Sequence, residues 1–168
     1  IVFIDDATSK LLSLYFAPSE TTEAYFNALK CCLLKYGRPV AFYSDKYCVF
    51  RVNHQLNTTK GAQTQFKRAL EQLGIELICA HSPQAKGRVE RVNQTLQDRL
   101  IKEMRLRNIN TIEEANAFSP KFMEEFNVRF AVEPGEPVDA HRPLHHTEEE
   151  LTIILTHQEE RKLGLVKK

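Results

Sequence analysis

The placement of apolar residues constrains this chain more than any other feature. Short apolar runs at Ile1–Ile4, Lys10–Phe16, Val40–Tyr43 and Ile75–Ala80 alternate with longer segments whose apolar residues recur every three or four positions. Short runs of that kind are strand length, whereas the three-to-four spacing belongs to helices with one buried face. The first two runs are joined by the polar stretch Asp5-Asp6-Ala7-Thr8-Ser9, which predicts a hairpin. A helix follows from a cap at Thr21 or Thr22 to about Tyr36, with Ala24, Leu29, Cys32 and Leu33 on its apolar side. Gly37 stops it and Pro39 follows at the expected distance.

Further along, Gln63–Leu73 reads as a helix closed by Gly74, and Lys46–Lys60 as a polar loop. A long helix from about Lys86 to Arg107 carries the stripe Val89, Val92, Leu96, Leu100 and Met104, and another helix spans about Ile112–Phe130. The second of these bears Phe118, Phe122, Met123, Phe126 and Phe130, an aromatic face expected to pack on a partner subunit or on the sheet. Residues 133–147, with four prolines or glycines, read as a connector, and Thr147 with Glu150 forms a capping-box pattern. Strand, strand, helix, strand, helix, strand, helix, helix is an α/β order with a mixed sheet, in which sites gather at strand ends.

The length, 168 residues, suits one domain. No apolar run approaches the roughly 18–20 residues of a membrane helix, and Asp5 and Asp6 break the N-terminal one. Four cysteines without a CxxC pair read as small apolar residues in a reducing compartment, so a soluble cytoplasmic domain is expected. Ile1-Val2-Phe3-Ile4 reads as a strand in progress, and the chain is expected to be a piece of a longer protein. No glycine loop cradles a phosphate, Ser44 lacks the glycines of a nucleophile elbow, and His141, His145 and His146 have no cysteines at zinc-ligand spacing.

Net charge is +1, but it is unevenly spread: residues 1–107 carry 16 basic and 10 acidic side chains, and residues 108–160 carry 3 and 12. Lys86–Arg107 is densest, with seven basic residues against three acids, which fits either a solvated face or a helix turned toward a polyanion. Within this frame Asp45 stands where an apolar strand breaks into a loop, and Glu90 in the first turn of the long helix. Turn chemistry and the helix dipole are sufficient reasons for each acid alone. Together, one acid at a strand end and one at a helix start could share a divalent cation, and hard oxygen ligands suit Mg²⁺ or Mn²⁺.

The wording around these acids is more specific. Tyr43-Ser44-Asp45 after an apolar strand, followed by Ser82-Pro83-Gln84-Ala85-Lys86-Gly87-Arg88-Val89-Glu90-Arg91-Val92-Asn93, resembles the catalytic core of integrase-type (DDE) transposases. Phe3-Ile4-Asp5-Asp6-Ala7-Thr8-Ser9-Lys10 and Pro18-Ser19-Glu20-Thr21-Thr22 resemble the second strand of that core, its turn and the helix start. The likeness covers roughly residues 1–130 as the core, with 131–168 a connector and the start of a C-terminal region, and its tone is nearest to bacterial insertion-sequence transposases of the ISNCY type.

The resemblance implies a ribonuclease-H-like mixed sheet flanked by helices and a two-metal phosphoryl transfer on DNA. Asp45 and Glu90 match the second and third metal-binding acids, although the interval between them exceeds the family's usual one, with the excess placed in Tyr47–Lys60. The first acid is expected on a first strand before Ile1, with Asp5 or Asp6 the lesser alternative, so the fragment alone is expected to be inactive. Lys86, Arg88, Arg91 and Gln94 are the expected DNA contacts, transposon ends and target the expected partners, and a homo-oligomer the expected assembly. A catalytically dead DNA-binding or assembly module, or a structure-selective nuclease of the same fold, stays open as an alternative.

Overall fold

In the computed structural model residues 1–44, 64–79 and 83–159 are described, without the side chains of Cys79 and of residues 83–89. Strands β1 (Val2–Ile4) and β2 (Leu11–Leu14) form the expected antiparallel hairpin, with Val2 opposite Leu14 and Phe3 opposite Ser13. Its turn is closed by Asp5, whose carboxylate accepts from the Thr8 N–H at 3.0 Å and from the Thr8 hydroxyl. Helix α1 (Thr22–Tyr36) is capped by Thr21, which accepts from the Ala24 N–H, and it ends where Gly37 turns the chain at φ 83°. Strand β3 (Ala41–Ser44), helix α2 (Gln65–Gln72) and strand β4 (Glu76–Cys79) follow, and β3 pairs parallel with β4 from Ala41↔Glu76 to Ser44↔Cys79.

Three long or capped helices complete the described chain. Helix α3 spans Pro83–Leu106 and begins three residues before Lys86, because proline suits a first helical position whose N–H would be unpaired anyway. Helices α4 (Ile112–Phe130) and α5 (Glu148–Ile154) both start in capping boxes, Thr111 with Glu114 and Thr147 with Glu150.

Among the described residues the strands pair as two two-stranded ribbons, β1–β2 antiparallel and β3–β4 parallel, which are the two pairing senses of the expected mixed sheet. Apolar runs mark which segments are strands; they do not specify which edges meet. The two ribbons touch through side chains: the rings of Phe3 and Phe42 pack edge to face with centroids 4.8 Å apart.

Side chains of β1 and β2 enter two cores, and the register shift between Phe3 and Ile4 breaks the simple alternation of β2, so residues three apart share a core. Phe3, Leu12 and Tyr15 join α1, α2 and α5 around Phe66, Leu29, Leu33, Leu70 and Leu151. Leu11 and Leu14 join α3 and α4 around Val92, Leu96, Leu100, Phe122 and Phe126. The aromatic face of α4 is therefore spent inside the chain, against β2 and α3, and not on a partner subunit.

Two asparagines fix α4 along the outer edge of β2. Asn127 Oδ1 accepts from the Leu11 N–H at 2.7 Å while its Nδ2 donates to the Leu11 carbonyl at 3.0 Å. Asn116 does the same to Phe16, at 2.8 and 2.9 Å. Eleven residues of helix rise about 16.5 Å in about three turns, and five residues of strand also span about 16.5 Å. The two amides therefore sit on one side of α4, in step with an antiparallel strand, and close an edge that would otherwise be open to another chain.

The connector returns to the body. Arg38 and Arg142 exchange backbone hydrogen bonds of 2.8 Å, and Arg142 Nη2 donates to the Gly74 carbonyl at 2.7 Å. Leu151 and Leu155 then fill the first core, and Arg68 Nη2 donates to the carbonyls of Ile154 and Thr156 at 2.9 and 2.7 Å.

Candidate functional site

Because β3 and β4 run parallel and in register, their C-terminal ends, Ser44 and Cys79, lie side by side. The chain leaves β3 into Asp45, which lies outside the described residues, and leaves β4 into α3, which begins four positions after Cys79. The start of α3 is thus tethered to the end of the ribbon.

Glu90 lies about two turns into α3, not in its first turn as the sequence suggested. The dipole that favours acids at a helix start fades within that first turn, so it does not account for this glutamate. The carboxylate is exposed and has no hydrogen-bond or ion-pair partner among the described residues. Arg91 and Gln94 are exposed beside it, and Gln94 is one turn further along the same line of the helix as Glu90. Lys86 stands one turn before Glu90 on that line, whereas Arg88 stands one turn before buried Val92, so helical register does not place the two cations on one line. Of the stripe expected from spacing, Val92, Leu96 and Leu100 are buried and Met104 packs against them, while the Val89 side chain lies outside the described residues.

The basic stretch divides into two parts. Its C-terminal half is engaged within the chain, Arg99 over the Phe130 ring and Arg107 over the Phe118 ring, each 5.0 Å from the centroid. Lys102 pairs with Asp98 and holds that carboxyl below its ordinary range, and Arg107 reaches Glu103 at 3.1 Å. These contacts to α4 and along α3 were invisible in a count of charges. Around the second core, residues of α4 contribute acids to the same surface, with Arg99, Glu103, Glu124, Glu125 and Arg129 bordering an open groove of about 540 Å³.

Among the cysteines, Cys32 is buried in the first core and its thiol is pushed up to about 12 by desolvation, while Cys31 is exposed. Cys32 thus packs as a small apolar residue, as expected. No helix among the described residues is long and apolar enough to cross a membrane.

Comparison with known proteins bears on what such an arrangement serves. Over 166 residues, 98% of this chain, the sequence is 52% identical to a Sinorhizobium fredii (strain NBRC 101917 / NGR234) protein named "Putative transposase y4bF". It is also 44% identical over 131 residues, 76% of the chain, to the "Transposase for insertion sequence IS1202" of Streptococcus pneumoniae. The chain is a relative of insertion-sequence transposases. Its matches take up 36% and 28% of those proteins, so the chain spans about a third of the length of these transposase relatives. No protein-family model matches the chain, and no solved structure matches it. The likeness to the Sinorhizobium protein runs from β1 to α5, including the strand before Asp45 and the helix that carries Glu90.

Proposed function

We propose that this chain belongs to the catalytic core of an integrase-type DNA transposase with a ribonuclease-H-like fold. The observation that carries the reading is the 52% identity to a transposase across nearly the whole chain. Residues 1–130 form the core, and 131–168 the connector and the beginning of a C-terminal region, with α5 folded back on the body. Asp45 and Glu90 are the second and third acids of a metal-binding set. The first lies on a strand outside these 168 residues, while Asp5 is occupied in closing the hairpin turn.

Of the proposed acids Glu90 alone lies among the described residues, and its chemistry suits the metal. Glu90 is an exposed carboxylate without a cationic partner among the described residues, a hard oxygen ligand of the type Mg²⁺ or Mn²⁺ takes. Divalent ions held by Asp45 and Glu90 would supply Lewis-acid chemistry at phosphorus, for strand cleavage or strand transfer. The chain's own part is to hold DNA. Lys86, Arg88, Arg91 and Gln94 on the first turns of α3 contact phosphates of the transposon end and target, which positions the duplex without reading its sequence. The assembly is a homo-oligomer acting on DNA in the cytoplasm.

The test uses the full-length protein with Mg²⁺ and labelled transposon ends. Asp45→Asn and Glu90→Gln are each expected to reduce joined products to background while DNA binding persists. The 168 residues alone are expected to join nothing. Joined products at the wild-type rate from either variant would remove that residue from the site, and nicked DNA without joining would assign the fold to a nuclease.

A further inference from the structure

The C-terminal stretch of residues 139–158 runs along helix α2 and grips it at both ends. At the C-terminal end of α2 the grip is a pair of crossed arginines. Arg142 Nη2 donates to the carbonyls of Gly74 and Pro39 at 2.7 and 3.3 Å. Arg38, joined to Arg142 by two backbone hydrogen bonds, donates from Nη1 to the Leu73 carbonyl at 2.8 Å and from Nε to the Pro143 carbonyl at 3.2 Å. At the N-terminal end of α2 the Gln65 side-chain amide pairs with the backbone of Gln158, accepting from its N–H at 3.0 Å and donating to its carbonyl at 2.8 Å. Arg68, one turn on, takes the carbonyls of Ile154 and Thr156, which have no helical partners at the end of α5. Between the two grips Leu151 and Leu155 join Phe66, Leu70 and Leu73 in the first core.

The same stretch holds itself together poorly. Helix α5 has seven residues, too few for a helix to persist without the body it packs on. Docking also buries His141 Nε2, Arg142 Nε and His146 Nδ1, the side-chain polar atoms that are buried without a hydrogen-bond partner among the described residues. All three belong to this one stretch, and each sets the cost of an unmade hydrogen bond against the grips. No residue of 139–158 enters the second core, which β2, α3 and α4 make. We propose that residues 139–158 are a releasable strap, which opens and closes on α2 as one unit while the second core stays closed. Release frees α2 and, through it, β4: the chain passes from α2 to β4 by way of Gly74 and Ile75, and β4 pairs with β3 along its whole length. The far ends of those strands lead to Asp45 and to α3, so the strap is a conformational device between the C-terminal stretch and the candidate site. Its opening stands on packing alone, and its bearing on catalysis rests on the transposase reading above.

The test is hydrogen–deuterium exchange of the full-length protein, without DNA or metal, read peptide by peptide. In the wild type at low urea, amides of α2, β4 and α5 should share one opening that precedes the opening of α4. Arg142→Ala cuts the grip at one end of α2, and Gln65→Ala cuts the grip at the other. Each is expected to speed exchange about tenfold across α2, β4 and α5 alike, and to leave α4 within about twofold of wild type. Should Arg142→Ala not fold, the wild-type urea series and Gln65→Ala decide. Acceleration confined to the peptide that carries the substitution overturns the strap as a unit. Equal acceleration of α4, or an α2 that opens in the wild type only together with α4, assigns the stretch to the global core and overturns it too. Either result, with joined products still lost from Asp45→Asn and Glu90→Gln, faults the strap and keeps the transposase reading. A shared early opening with joined products undiminished in those two variants keeps the strap and removes its link to catalysis.

Discussion

Replacing Asn127 by leucine tests whether side-chain amides hold α4 on the edge of β2. The substitution keeps the branched shape and the number of heavy atoms, though methyls are bulkier than the amide, and removes both hydrogen bonds to Leu11, at 2.7 and 3.0 Å. Leu11 is fully buried, so its N–H and C=O lose their partners in a place water reaches poorly. Each orphaned buried backbone group costs about 1–3 kcal/mol. Asn127 itself is half-buried, which admits some water and puts the pair near the lower end, roughly 2–3 kcal/mol in total. With a urea m-value of about 2 kcal/mol/M, the unfolding midpoint should fall by about 1–1.5 M. Asn127→Asp should recover only part of the loss, since the carboxylate accepts from the Leu11 N–H but cannot donate to its carbonyl. Asn116→Leu should cost less, because Phe16 is only half-buried. The control is Val128→Asn, a change on the 87% exposed face of the same helix. If Asn127→Leu lowers the midpoint no further than that control in urea titrations followed by circular dichroism, the amides do not carry the edge and the reasoning fails.

Gly37→Ala should destabilise the fold by at least about 2 kcal/mol, measured the same way, since positive φ disfavours a side chain and an added Cβ would stand 2.6 Å from the Arg142 carbonyl oxygen. Acidification should loosen the start of α4. The N–H groups of Asn110 and Thr111 hold the Glu114 carboxyl below its ordinary 4.5, so its stabilisation is present above that value and is lost as pH falls through the lower folded one. Glu114→Gln should flatten that part of the stability–pH curve, and an unchanged curve would count against the capping box as its source. Replacing Lys86 and Arg88 together by alanine should reduce the salt slope of duplex binding by up to about 1.8, near 0.9 for each phosphate no longer neutralised. An unchanged slope would take both residues out of the interface.

Much of the fold was readable from local chemistry. Helix α4 begins at Ile112 and ends at Phe130 as its periodicity predicts, because Thr111 and Glu114 write the capping box into four consecutive residues. Gly37 and Gly74 mark helix ends for the same local reason, a positive φ that glycine alone adopts without strain. The transposase likeness was also legible, in the residues around Asp45 and Glu90.

The residues along the chain therefore determined by themselves the elements, their caps and the apolar stripe of α3, all set by interactions a few residues apart. Only the tertiary structure decided the rest. Among the described residues it paired β1 with β2 and β3 with β4, and it turned the aromatic face of α4 inward. It placed Asn116 and Asn127 on a strand about a hundred residues distant in the chain. It placed Arg99 and Arg107 over rings of α4, leaving the cations of the first turns of α3 as the group proposed to meet DNA. Each of these depends on which surfaces meet across long sequence separations. Spacing and composition record the type of a surface; its partner is chosen when the layers pack.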